Sequence, residues 1–148
     1  MTPARARPRL AAEERRAIGA ALEHAARHDT MVHAMLVTHL LEGNTSDLAD
    51  LRRAVSRRDW QAVNRSVHRI KGSAALARCA TLVAAGKSIE SAAGHGNVAV
   101  VNILLPRYTA ILEEFNATLA ALSPAAGNLS ANRSAPSHID ILPALNEP

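Results

Sequence analysis

One histidine in this 148-residue chain stands among neighbours that would suit a transferable phosphoryl group. Placed on a helical wheel, residues 60–76 divide into two faces. Trp60, Val63, Val67, Ile70 and Ala74 make an apolar seam with three- and four-residue spacing. Gln61, Asn64, Arg65, His68, Lys71, Gly72 and Ala75 make a polar or small face with His68 at its centre. Residues three and four apart are neighbours on a helix surface, so Asn64 and Arg65 flank His68 on one side and Lys71 and Gly72 on the other. A neutral imidazole nitrogen is a competent nucleophile near neutral pH. To meet an in-line phosphoryl donor it has to be exposed. Lys71 can neutralise charge on the phosphoryl oxygens. Arg65 and Arg69 add positive charge for the same group or for acids on a partner. Gly72 removes a side chain from a partner's path. Glycine inside a helix costs about 1 kcal/mol relative to alanine, which calls for a compensating reason. No carboxylate lies within one turn of His68 along the helix. This face therefore offers no base for hydrolysis and no ligand set for a metal, which suits a group that is to be held.

Five helical stretches would position this face. The first is predicted at about residues 10–27, with Glu13 and Glu14 near its start, where the helix dipole favours acids. The second follows the cap-forming Asp29 and Thr30 and runs to about 56. Its weak point is Gly43-Asn44-Thr45-Ser46, but Leu40 and Leu51 keep one register across it, which favours one helix. Asp59 is predicted to cap the third, at 60–76. The fourth covers about 78–93 and ends at Gly94-His95-Gly96. The fifth covers about 98–122, with Leu104, Tyr108, Ile111, Phe115, Leu119 and Leu122 as its stripe. Pro106 inside it either kinks the helix or separates 98–105 as a turn of its own. Residues 1–9 read as a disordered basic arm, 10–123 as the domain and 124–148 as a flexible tail, within which 139–142 is a short apolar patch. Short connections between amphipathic helices favour an antiparallel bundle.

Composition agrees with an all-α domain. Alanine, leucine, valine and isoleucine supply the apolar content, and Trp60, Tyr108 and Phe115 are the only aromatic residues. Cys79 is the single cysteine, so no intrachain disulfide forms, which fits a reducing compartment. No apolar run approaches the ~18 residues of a membrane span. No apolar stretch follows the basic start as a signal peptide requires. A soluble cytoplasmic protein, or a cytoplasmic piece of a larger one, is expected. Three of the charges behind the net +4 are Arg5, Arg7 and Arg9. From Arg52 to Arg78 there are eight basic residues and one acid, Asp59. Such a patch expects an acidic partner.

The segment Val67-His68-Arg69-Ile70-Lys71-Gly72-Ser73-Ala74 resembles the signature of histidine phosphotransfer (HPt) domains, roughly H-x-L/I-K-G-S/A-S/A. The flanks agree: Leu48-x-x-Leu51 and Asp59-Trp60 upstream, Leu82 and Ile89-Glu90 downstream. The resemblance covers about residues 31–122. It implies an up-and-down four-helix bundle with an accessory N-terminal helix. It also implies an exposed histidine that exchanges phosphoryl groups with receiver-domain aspartates. Carried over, His68 is the phosphoryl site, Lys71 its charge partner, Gly72 the clearance position and Ser73 a local hydrogen-bonding residue. Asn64, Arg65, Arg69, Ser73 and Ala75 would face the partner. Magnesium would come with the receiver, and this chain would bind no cofactor or metal. The arrangement is similar to the C-terminal HPt modules of hybrid, virulence-type sensor kinases in bacteria. The implied partners are the receivers of such a kinase and of a response regulator, with the domain itself a monomer. Two positions depart from the pattern. Arg78-Cys79 stands where the family often has Gly-Ala, and Gly86 where it often has cysteine.

No phosphate-binding loop of the form G-x-x-x-x-G-K-S/T is present, and Gly94-His95-Gly96-Asn97 is too short for a nucleotide lid. A phosphoryl group must therefore come from a partner. Two rival classes remain open from the residues alone. One is an inactive receiver-docking domain. The other is a basic nucleic-acid-binding module, against which stands the lack of aromatic residues beside the basic ones. His24 and His28 are four apart but lack a further metal ligand, and read as a solvated helix face. His33 and His39 read as partial-core or surface residues, and His95 belongs to a loop. Cys79 reads as a small buried hydrophobe, and Trp60 as a core anchor.

Overall fold

The three- and four-residue apolar spacing yields five helices and, among the described residues, no strand. The computed structural model describes residues 8–123. Its helices are α1 (Ala12–Ala25), α2 (Thr30–Ser56), α3 (Trp60–Leu76), α4 (Ala80–Gly94) and α5 (Val98–Ala121). The basic segment 1–7 and the segment 124–148, with the apolar patch 139–142, lie outside the described residues.

α2 runs unbroken through Gly43–Ser46 because the sequence's weak point is tied from outside. Asn44 is fully buried, and its Nδ2 donates to Asn116 Oδ1 on α5 at 2.9 Å. α5 is likewise one helix, so residues 98–105 are not a separate turn. Pro106 and Asn102 are both exposed, so the hydrogen bond that Pro106 cannot make is lost on the solvent side of the helix. α1 is shorter than predicted. Arg27 and His28 adopt φ of 53° and 59°, which turns the chain towards α2 before residue 27 could extend the helix.

The connections share one design. Arg58, Arg78 and Gly96 take φ of 54°, 58° and 64°. The next residue donates its N–H back across the turn: Asp59 to the Ala54 carbonyl at 3.0 Å, Cys79 to Ala74 at 2.8 Å, Asn97 to Ala92 at 2.9 Å. This is the Schellman closure. Asp59, Cys79 and Asn97 then serve as N-caps of α3, α4 and α5. Asp29 Oδ1 caps α2 by accepting from Met31 N and Val32 N, each at 3.0 Å. Turns this short make successive helices antiparallel neighbours. Where the family often has glycine, Arg78 takes the left-handed conformation, which costs an L-residue about 1–2 kcal/mol.

α3 packs between α2 and α4, and α5 closes the ring between α4 and α2. The accessory helix α1 lies against α2, α3 and α5. The core holds Tyr108, Phe115, Ile18, Leu22, Leu51, Ile70, Ile89 and Leu119, all essentially inaccessible. Trp60 packs on its edge. Two carboxylates fix α1. Glu114 of α5 accepts from the backbone N–H of Arg9 (2.8 Å) and Leu10 (3.0 Å). Arg9 is therefore held against the domain, although it falls in the segment read as a disordered arm. Glu14 accepts from Thr81 N at 2.9 Å and Thr81 Oγ1 at 2.6 Å. It thereby supplies the N-terminal cap that the Cys79 side chain does not make. Among the described residues no helix is long and apolar enough to cross a membrane. Glu14→Ala should lower unfolding stability by about 1–2 kcal/mol, the size of a lost cap. Arg16→Ala, on the exposed side of the same helix, should stay within about 0.5 kcal/mol of wild type in the same denaturant titration.

Candidate functional site

The buried residues of α3 are Val63, Ser66, Val67, Ile70 and Ala74. With these locked against its neighbours, the helix cannot turn about its axis. His68 follows Val67 by one helical step of about 100°, which brings it out to solvent. It lines an open depression of about 520 Å³ together with Asn64, Arg65, Arg69 and Glu90. On the packed side of α3, buried Gly86 of α4 faces Val67. A Cβ on Gly86 would stand 3.4 Å from Val67 Cγ1 and 3.8 Å from Tyr108 Cε2. Both are ordinary contact distances.

The carboxylate-free setting read from α3 alone is corrected here. Lys71 Nζ lies 3.0 Å from Glu90 Oε1 and donates to Oε2 at 3.1 Å. Glu90 comes from α4, so helical periodicity along α3 has no view of it. The pair is only partly exposed, at 23% and 27% of the side-chain surface, and is therefore screened less than a fully solvated one. Below it the Tyr108 hydroxyl is buried with no hydrogen-bond partner. Burial pushes the phenol well above its ordinary range, and the nearby charges of Glu90 and Asp47 push the same way.

Arg69 is engaged within the chain. Its Nε donates to Asp47 Oδ1 at 2.7 Å and its Nη2 to Asp50 Oδ2 at 3.4 Å. Both acids belong to α2. Arg65 is exposed and pairs with no carboxylate among the described residues. Asn64 is half-buried, with Oδ1 enclosed and unpartnered. Ala75 is exposed. Ser73, read as a local hydrogen-bonding residue, is half-buried and makes no side-chain hydrogen bond among the described residues. Ser66, one turn from Arg69, takes a contact from Arg69 Nη2 at 3.5 Å instead. Gly72 is exposed, and a Cβ there would meet nothing within 4 Å.

The other polar residues are placed away from this face. His28 has left α1, so it and His24 do not share a helix face as a four-residue pair would. Among the described residues no three His, Cys, Asp or Glu side chains converge as a metal site. Cys79 is fully buried, and burial pushes its thiol up to about 11, with Glu14 adding to the effect.

Residues 35–123 match the Hpt domain family. The chain belongs to the Hpt family. No curated protein and no solved structure matches it. Hpt domains carry phosphoryl groups in two-component phosphorelays and work with receiver domains. In this Hpt domain the signature segment is the centre of α3. The residue that the reading of that helix passed over is Glu90. It appeared only as part of the flanking Ile89-Glu90, and antiparallel register about the Arg78 turn is the signal that brings it opposite Lys71.

Gly72 can be judged against Gly43, the other glycine at mid-helix with open space around it. Nothing in the chain's own packing requires either to lack a side chain. Gly72→Ala and Gly43→Ala should each raise stability by about 0.5–1 kcal/mol in thermal or denaturant unfolding. Destabilisation by Gly72→Ala would mean that the helix itself needs the glycine.

Proposed function

We propose that His68 is the phosphoryl carrier of this Hpt domain. It accepts the group from a receiver-domain aspartyl phosphate and passes it to the aspartate of a second receiver. The observation that carries this reading is the exposure of His68 on a helix whose opposite side is locked in the core. The carrier is thus held still and open at once. An imidazole nitrogen, Nε2 by family resemblance, attacks phosphorus in line. The N–P bond forms as the P–O bond to the aspartate breaks, and the carboxylate leaves with the electron pair. The ring N–H proton stays on the other nitrogen. Onward transfer is the reverse, with the second receiver's carboxylate as nucleophile. The receiver supplies magnesium and most of the charge stabilisation.

This chain supplies the nucleophile, its positioning and the Lys71 ammonium one turn away. The clear space at Gly72 lets a receiver come close, and Asn64, Arg65, Arg69, Ser73 and Ala75 surround the contact. The finer assignment follows the resemblance: the donor is the receiver of a bacterial hybrid sensor kinase, the acceptor a response regulator, and the setting cytoplasmic. The domain acts as a monomer, either within such a kinase or free-standing.

Receiver domains charged with labelled acetyl phosphate test this. The wild type should take up acid-labile, alkali-stable label, and His68→Gln should take up none while remaining folded. Lys71→Ala should slow transfer by up to roughly 100-fold, the low end for one lost charge-stabilising contact because the receiver supplies most of that stabilisation, with the bundle intact. Gly72→Leu should fold normally and still fail to engage receivers. Label retained in His68→Gln would assign the chemistry to another residue. A wild type that binds receivers and takes no label would leave an inactive docking domain.

A further inference from the structure

The positive charge around His68 is unevenly answered. On the α4 side, Lys71 is met by Glu90. On the α2 side, Arg69 is met by Asp47 and Asp50, and Arg53 by Asp50. Past Arg69, towards the α2–α3 turn, a second hollow of about 300 Å³ opens between the end of α2 and the start of α3. Arg53, Arg57, Arg65 and Arg69 line it, with Asp50 and Asp59. Asp59 Oδ1 accepts from Ala62 N as the cap of α3. Arg57 and Arg65 are both exposed, and neither pairs with a carboxylate among the described residues. Arg65 lines both this hollow and the His68 depression. Unanswered cationic charge near His68 therefore lies towards the α2–α3 turn, where Arg65 borders both hollows and Arg57 the second.

We propose that Arg57 and Arg65 form the electrostatic docking site for an acidic patch on the incoming receiver domain, and fix the direction from which it reaches His68. The proposal rests on the carrier reading. Two guanidinium forks in an open hollow match carboxylates in geometry as well as charge. Charges at the rim of a contact act mainly on association rate and orientation, and are screened by salt. The paired Lys71 and Arg69 contribute less to this field, because their partners cancel it at a distance. An uneven field also selects one docking orientation out of those that an exposed histidine would otherwise allow.

The test is the second-order rate of phosphotransfer from acetyl-phosphate-charged receiver domains, at low and high salt. Arg57→Gln/Arg65→Gln removes two positive charges at the hollow. Arg16→Glu makes the same change in net charge on α1, near the end of the bundle where Glu14 caps α4. At low ionic strength the double variant should be slower by about 10-fold, with Arg16→Glu close to wild type. At about 1 M salt all three should agree within about 2-fold, because the screening length is then only about 3 Å. The rate at saturating receiver should be unchanged, which a general disturbance of the site would not leave so. Equal low-salt rates in wild type and double variant, or an equal loss in Arg16→Glu, would overturn the proposal. So would DNA binding by the wild type that the double variant loses while transfer is untouched. If the wild type takes no label, the carrier reading fails, and equilibrium binding of the uncharged receiver decides the surface. A salt-sensitive loss in the double variant then keeps it, and no loss overturns it.

Discussion

Helix α3 carries two demands on adjacent residues. Val67 is fully buried against α4, where Gly86 leaves only contact distance, and His68 is exposed. A helical step fixes the angle between them, so the packing of Val67 decides where His68 points. Val63, Ile70 and Ala74 repeat the lock one turn above and below. Rotation of α3 that withdrew His68 would expose this seam, each large member of which is worth roughly 1.5–3 kcal/mol in burial. His68 is held in place by hydrophobic packing on the far side of its own helix, with no need for a hydrogen bond to its ring.

The polar interactions around the site have a different role. Lys71 with Glu90 ties α3 to α4, and Arg69 with Asp47 and Asp50 ties α3 to α2. The Arg69 side chain is about half exposed, at 48%, and that of Asp47 much less so, at 13%, so solvent weakens this pair without removing it. The effect of these pairs is on where charge remains available. Lys71 and Arg69 are neutralised from the two flanking helices, whereas Arg65 and Arg57, towards the α2–α3 turn, meet no carboxylate among the described residues. The bundle thus presents His68 with its Lys71 and Arg69 neighbours answered and with positive charge on one side.

The legible part of the structure was the part written along single helices. α3 has the bounds that periodicity predicted, and Asp29 and Asp59 cap the helices they precede. The continuity of α2 followed from the shared register of Leu40 and Leu51. The exposed face of His68, Lys71 and Gly72 followed from the wheel. Contacts between helices were not legible. Glu90 beside Lys71, Asn44 beside Asn116 and Glu14 on Thr81 join residues 19, 72 and 67 positions apart. No local pattern encodes such pairings. The early end of α1 was also missed, because arginine and histidine give no sign of the left-handed conformation that Arg27 and His28 adopt. Arg78 is the same case: the turn that glycine would announce forms without it.

The central claim is that one of seven histidines carries the phosphoryl group. Mapping the modified residue by mass spectrometry, on chain phosphorylated by a receiver and digested at alkaline pH, tests it most directly. The account predicts phosphate on the peptide containing His68 and on none containing His24, His28, His33, His39, His95 or His138. Phosphate on any of those, or on an aspartate, with His68 unmodified, would contradict it.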